Sequence, residues 1–159
     1  MIYIWEGQVR WICPSQFNLS HERTVKMKLG KLAGNEFGIS LSNLMKLKGL
    51  SIGTQFKLKR LAKTIGTEVD DYNSIRKTVI EEFGDKDEKG NLIIKLVGNQ
   101  EIVQIPPANL KNANKKLDEL ACREFDVPEI NVSELGRAAE ALTPDDLFNL
   151  EFLTDGTEG

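Results

Sequence analysis

One apolar stripe constrains this chain more than any other feature of its sequence. Between about residues 54 and 83, large apolar side chains recur mostly every three or four residues. This spacing is typical of an amphipathic α-helix, which buries one face and exposes the other. The stripe consists of Phe56, Leu58, Leu61, Ile65, Val69, Tyr72, Ile75, Val79 and Phe83.

A helix of this length is large for the chain that carries it. About 30 residues at about 1.5 Å per residue span about 45 Å. A compact chain of 159 residues has a radius of gyration of only about 15 Å. We therefore expect the helix to project beyond its own core or to pair with another chain. The alternative is a break at Gly66, with Thr67 as N-cap and Asp70 closing a capping box. We favour continuity because Ile65 and Val69 remain in phase.

Around this helix the sequence predicts a small antiparallel sheet. Val25, Met27 and Leu29 alternate with lysines and Gly30, which indicates a half-buried strand with a lysine-rich outer face. Residues 92–97 and 101–105 predict a hairpin that ends at two prolines. Residues 125–132 are expected to be extended. These elements indicate an α+β fold, in which a small antiparallel sheet packs against helices, one of them long.

Three shorter helices complete the predicted fold. The first carries apolar residues from Ile39 to Leu47 and is expected to end at Gly49. The second covers about residues 107–122. The third begins with Thr143 as N-cap, a proline in the first position and two acidic residues in the first turn, and covers apolar residues as far as Leu153.

Residues 1–22 differ from the rest of the chain. They hold both tryptophans, Trp5 and Trp11, and their alternating apolar residues predict a small hairpin around Gly7 and Gln8. The alternative is an extension of doubtful role that precedes a true start at Met27. We interpret residues 23–159 as a single α+β domain.

Charge is strongly polarised along the chain. Residues 23–66 hold ten basic side chains and one acidic, Glu36, whereas residues 67–159 hold ten basic and 21 acidic side chains. A chain of this kind can pair its two parts internally, stack head to tail with copies of itself, or offer its basic part to an anionic partner.

Composition narrows the function classes. The chain is 40% hydrophobic and 28% charged, which is typical of a globular protein. It has no apolar run of the roughly 20 residues that span a membrane, and no secretory signal pattern. One histidine, His21, and two cysteines, Cys13 and Cys122, provide few groups for metal binding or acid–base chemistry. We expect a non-enzymatic cytoplasmic domain with no cofactor, no metal site and no membrane contact.

Two motifs suggest chemistry but are incomplete. Residues 85–96 match a calcium-binding loop at several positions, but Lys89 and Leu96 stand where oxygen ligands are required. We expect a polar turn there. Cys13 and His21 have no orienting acid in the sequence, and we expect Cys122 to be a small core residue.

A basic patch is the remaining feature that resembles a site. It lies in the first half of the long helix and consists of Lys57, Lys59, Arg60 and Lys63. Such a patch can bind phosphates, but neither a recognition motif nor a stacking array of aromatic residues accompanies it. An acidic protein surface is therefore the partner we expect, in preference to nucleic acid.

From Met27 onward, the order of segments resembles a family of small uncharacterised proteins of tailed phages and prophages. The likeness covers about residues 27–155. It rests on the segments 27–32 (MKLGKL), 55–63 (QFKLKRLAK), 83–91 (FGDKDEKGN), 105–107 (IPP) and 142–147 (LTPDDL). It implies a phage-encoded helper or virion-associated protein made in the host cytoplasm, and it supports Met27 as the ancestral start.

These observations lead to two functional hypotheses. The first is a non-enzymatic phage or prophage interaction protein, structural or concerned with virion assembly. It would self-associate, as a homo-oligomer, or dock to another phage protein through the long helix, with Phe56, Leu61, Ile65, Val69 and Tyr72 as contact residues. The alternative is an inhibitor or adaptor that captures a host protein, such as a defence or nucleic-acid enzyme, through acidic residues 67–159.

Overall fold

The computed structural model describes residues 4–5, 8–9, 23–98 and 100–155, the first two pairs as backbone only. These residues form helices and four two-stranded β-ladders, which confirms the predicted α+β class. Three of these ladders are antiparallel, and one short ladder is parallel. Beside a 3-10 segment at Val132–Ala141, the elements are β1 (Ile4–Trp5), β2 (Gln8–Val9), β3 (Thr24–Lys28), α1 (Leu29–Leu32), α2 (Asn35–Met45), α3 (Ile52–Phe83), β4 (Ile94–Val97), β5 (Gln100–Val103), α4 (Pro107–Ala121), β6 (Glu124–Pro128), β7 (Ile130–Asn131), α5 (Pro144–Asn149) and β8 (Leu153–Thr154).

The ladder of β3 and β6 forms one wall of the core. The strands are antiparallel, and Met27 lies opposite Phe125. Because side chains alternate between faces, one face of the ladder is apolar and the other carries the lysines, as predicted. β3 ends earlier than predicted, at Lys28, because α1 begins at Leu29. In this helix Gly30 lies against α4. A Cβ atom at Gly30 would come within 2.9 Å of Cβ of Ala121, so only glycine allows this approach.

Helix α3 is continuous through Gly66, which confirms the predicted long helix with its first residue at Ile52 and its last at Phe83. Its 32 residues span about 48 Å at about 1.5 Å per residue. All of its buried side chains lie in the first half, where Leu58, Leu61 and Ile65 enter the core. The second half therefore extends about 27 Å beyond Ile65 to Phe83.

Helix α4 packs against the second half of α3, and the β4–β5 hairpin follows the end of the helix. Lys116 of α4 forms an ion pair with Glu82 at 2.8 Å, and its Nζ lies 4.9 Å from the centre of the Phe83 ring. The hairpin is joined to the end of the helix by backbone hydrogen bonds of Asp85, whose amide donates to the carbonyl of Gln104 at 2.7 Å. The predicted hairpin and the predicted helix at 107–122 are thereby confirmed.

The C-terminal segments close the core on its other side. Asn131 and Thr143 begin the 3-10 segment and α5 with capping boxes. The role of Thr143 as N-cap was predicted. The last helix ends at Asn149, earlier than predicted, because Leu150 and Phe152 turn into the core and are fully buried. β8 then pairs with β7 in parallel.

Near the N-terminus, Ile4 pairs with Val9 in the short β1–β2 ladder, as the alternating pattern predicted. Cys13 and His21 lie outside the described residues. No helix in the described ranges is long and apolar enough to span a membrane.

Candidate functional site: two exposed surfaces

Helix geometry divides the predicted apolar stripe between two faces of α3. Phe56 and Ile65 are nine residues apart, which at about 100° per residue places them on opposite sides of the helix. Ile65 and Leu61 are 2% and 4% exposed and belong to the core, whereas Phe56 is 65% exposed. Val69 and Tyr72 are half-buried against the core. The stripe is therefore not a single docking surface. Leu61 and Ile65 are unavailable to a partner, and Phe56 lies on the solvent face.

The local sequence explains this orientation of α3. Ser51 caps the helix, and its hydroxyl accepts a hydrogen bond from the amide of Thr54 at 3.1 Å. From that cap, Thr54, Leu58, Leu61 and Ile65 recur at the spacing of one face, and each of them is buried. Burial of this face fixes the rotation of the helix and leaves Phe56 in solvent.

The basic patch lies on or beside that solvent face. Lys57 is the exception, because its Nζ forms an ion pair with Glu134 Oε1 at 3.1 Å. Lys59, Arg60 and Lys63 are exposed, and none of them forms an ion pair with another described residue. The structure thus brings Phe56 together with Arg60 and Lys63, which the sequence had assigned to two different surfaces.

A groove of about 370 Å³ runs along this part of α3. Phe56, Arg60 and Thr64 form one side, and β6–β7 contributes Pro128 and Ile130. The groove therefore combines an exposed aromatic ring with a cation that has no ion-pair partner among the described residues. This combination suits an apolar segment that carries a carboxylate.

The β4–β5 hairpin is the second exposed surface. The hairpin was predicted from the sequence, but its exposure was not. All four residues of β4 are exposed, as are the first three of β5. The large apolar side chains among them are Ile94, Leu96, Val97 and Ile102, which are 52%, 74%, 61% and 45% exposed. Ile94 and Leu96 lie on one face of the hairpin, and Val97 and Ile102 lie on the other.

The segment that resembles a calcium loop is a polar turn, as predicted. Asp87 Oδ1 accepts hydrogen bonds from the amides of Lys89 and Asn91, each at 2.9 Å. The backbone amide of Asn91 lowers the pKa of the Asp87 carboxyl below its ordinary value, since these bonds favour the charged form. The carboxylate thus stabilises the turn itself. Among the described residues no cluster of three or more potential metal ligands occurs.

Cys122 corrects one prediction. It was expected in the core, but it caps the C-terminus of α4 and is exposed. Leu120 takes the buried position instead. The helix ends one residue before Cys122, and its last turn directs Leu120 inward.

Comparison with known proteins adds nothing to this geometry. No protein-family model, no curated protein and no solved structure matches the chain.

Proposed function

We propose that this chain is a non-enzymatic interaction protein of a phage or prophage, structural or concerned with assembly, which self-associates through the β4–β5 hairpin. The resemblance of its segment order to small phage proteins supports the phage origin. The observation that carries the proposal is the exposure of four large apolar side chains on a hairpin at the far end of α3.

No other described element packs on the apolar faces of the β4–β5 hairpin, although a two-stranded sheet needs such packing to be stable. Isolated hairpins are marginally stable in water, and a long apolar edge strand attracts another strand. In the described residues β4 pairs only with β5, so both outer edges of this ladder are open. Burial of Leu96, which is 74% exposed, would contribute up to about 2 kcal/mol.

The open edges present backbone groups in a defined pattern. The amide of Gln104 donates to the carbonyl of Ile93 at 2.9 Å, which identifies these residues as a hydrogen-bonded pair. Because such pairs alternate along an antiparallel ladder, the pairs Ile94–Val103 and Leu96–Glu101 direct their amides and carbonyls outward. These groups are available to a strand from another molecule.

The partner is a second copy of this chain. Two copies meeting at the same edge form a four-stranded sheet, which exceeds the three strands that give a sheet independent stability. A two-fold axis makes such an edge self-complementary, because each copy supplies the same outward groups and the same apolar side chains. Phe56 and the basic patch remain outside this interface.

The test is the absolute mass in solution, determined by size-exclusion chromatography with light scattering at low and high salt. A dimer would have twice the mass of the 17.8 kDa chain, and it would persist in high salt because apolar contacts are not screened. Leu96→Lys should give a monomer. Ile39→Lys is the matched control, since Ile39 is 55% exposed on α2, and this variant should remain a dimer.

A wild-type monomer at both salt concentrations would contradict self-association. The alternative hypothesis, capture of a host protein through residues 67–159, predicts a monomer that retains a host protein when purified from its host. Dissociation of the dimer by salt alone would also contradict the proposal, because it would assign the contact to the charged surfaces.

A further inference from the structure

Two cations line the groove beside α3, and they differ in what surrounds them. The ammonium group of Lys57 is held by both carboxylate oxygens of Glu134, at 3.1 and 3.3 Å. Arg60 is exposed, and it forms no ion pair within the part of the chain that the structure describes. The acidic residues of α3 begin only at Glu68, about 12 Å further along the axis. The guanidinium of Arg60 is therefore available to a carboxylate from another molecule, which it can bind through two parallel hydrogen bonds.

The rest of the groove is complementary to an apolar side chain. Leu61 and Ile130 form its buried floor, at 4% and 0% exposure. Phe56 lies beside this floor and leaves 65% of its surface to solvent. A small anion bound at Arg60 would leave this apolar surface in water. A ligand that matches both the charge and the apolar floor must carry a carboxylate and a large apolar side chain.

The dimensions of the groove fit an extended peptide. From Gly53 to Thr64 the groove is about 17 Å long, which is the span of about five extended residues. Phe56 and Arg60 are four residues apart, which places them about 6 Å apart along the axis and about 40° apart around it. Side chains on one face of an extended peptide recur every second residue, about 6.6 Å apart. One such face can therefore reach Phe56 and Arg60 together.

We propose that this groove binds an extended segment of a partner protein, in which a large apolar side chain covers Phe56 and a carboxylate two residues along pairs with Arg60. Single-stranded nucleic acid is disfavoured because it stacks successive bases on several aromatic rings, and Phe56 is the one aromatic side chain among the described residues that line the groove. This binding does not depend on self-association, because the β4–β5 hairpin lies at the opposite end of α3.

Selection of peptides from a display library of random dodecapeptides, with the full-length protein as bait, tests the proposal. We expect the enriched sequences to share an acidic residue two positions from a large apolar one. A labelled peptide of the most enriched sequence then gives the Kd by fluorescence anisotropy. Arg60→Glu should weaken binding by about 10-fold or more, because it removes a charge-assisted hydrogen bond and adds a repulsive charge. Phe56→Ala should also weaken it.

The matched control is Lys59→Glu, which makes the same change of charge at an exposed neighbour. At about 100° per residue, Lys59 and Leu61 lie about 160° apart around α3, so Lys59 points away from the groove and its substitution should leave the Kd unchanged. Leu96→Lys should also leave it unchanged, whether or not the wild-type protein is a dimer. Far-ultraviolet circular dichroism verifies that each variant is folded.

Three results would overturn the proposal. The first is a selection that enriches no sequences with this spacing of acidic and apolar residues. The second is an equal loss of affinity in Arg60→Glu and Lys59→Glu, which would assign the binding to the overall charge of the helix. The third is a labelled oligothymidylate that binds more tightly than the peptide and displaces it, which would assign the groove to nucleic acid.

Discussion

At the scale of single residues, Asp146 connects two helices that are far apart in the sequence. Its side chain is 3% exposed. Oδ2 accepts hydrogen bonds from the amide of Thr143 at 3.0 Å and from its hydroxyl at 2.9 Å, and Oδ1 accepts one from the Asn43 amide group at 3.0 Å. The backbone amide of Thr143 lowers the pKa of this carboxyl, against the opposite effect of burial.

Asp146→Ala should lower the free energy of unfolding by about 2–4 kcal/mol, because it removes the carboxylate half of the capping box of α5 and leaves the Asn43 amide group without this acceptor. A pKa below 3.8 in the folded state stabilises the protein above that pH, and this contribution is lost as the pH falls through the folded pKa. Urea denaturation at neutral pH and below pH 4 measures both effects.

The matched control for this prediction is Asp145→Ala, since Asp145 is exposed in the same first turn. It should cost no more than about 1 kcal/mol, the usual size of a charge–dipole interaction. Equal effects of the two substitutions would show that burial and the bond to Asn43 contribute nothing.

The capping role of Thr143 and the helix that follows it were predictable from the local sequence, because a cap depends on neighbours within one turn. The bond between Asn43 and Asp146 was not, since 103 residues separate them. Phe56 illustrates the same limit. Its spacing places it in the predicted stripe, but the rotation of α3 is set by which residues reach the core.

At the scale of elements, Gly66 is a weak point in the middle of α3. A Cβ atom there would meet no other atom within 4 Å, and the helix is regular on both sides. The residue was the one place where the sequence allowed a break. Its presence costs helix stability, because glycine has more backbone freedom to lose on folding than any other residue.

Gly66→Ala should raise the free energy of unfolding by about 0.5–1 kcal/mol, the difference in helix propensity between the two residues. Gly30→Ala should have the opposite sign, because its Cβ would lie 2.9 Å from Ala121 Cβ and 3.1 Å from the Ala121 carbonyl oxygen. Both values come from denaturant midpoints. A destabilising Gly66→Ala would indicate that α3 is broken at this position in solution.

For the β4–β5 hairpin, the sequence pattern predicts where the strands lie but not whether they are buried. Its position was predictable, because the apolar run from residues 92 to 97 is bounded by Asn91 and Gly98. Its exposure was not. An apolar run without alternation is typical of a strand buried on both faces, whereas Leu96 and Val97 are exposed on opposite faces.

At the scale of the whole molecule, part of the charge polarity is neutralised within the chain. Among the residues that the structure describes, three ion pairs join residues 23–66 to the acidic residues 67–155. They are Lys26–Glu124, Lys31–Glu151 and Lys57–Glu134. Each lies at the surface and contributes at most about 1 kcal/mol. The polarity therefore helps to align the two parts of the chain, while apolar contacts of Met27, Phe37 and Phe152 hold the core.

Stability should be distributed unevenly along the molecule. The β3–β6 ladder contains Met27 and Val127, which are 1% and 0% exposed, so its amides open only when the whole core unfolds. The β4–β5 hairpin has few buried contacts, and its amides should open locally at small cost. Hydrogen exchange should therefore be slow in the first ladder and fast in the second when the protein is dilute.

Raising the protein concentration should slow exchange in the hairpin and leave the β3–β6 ladder unchanged. If the edges of β4–β5 pair with a second copy, a concentration about 100 times the dimer Kd stabilises the hairpin by about 2.7 kcal/mol, which corresponds to an exchange rate lower by about 100-fold. Leu96→Lys should abolish this dependence. Hairpin exchange that is the same at all concentrations would mean that β4 and β5 pair with no other copy, and the exposed apolar side chains would then require a different partner.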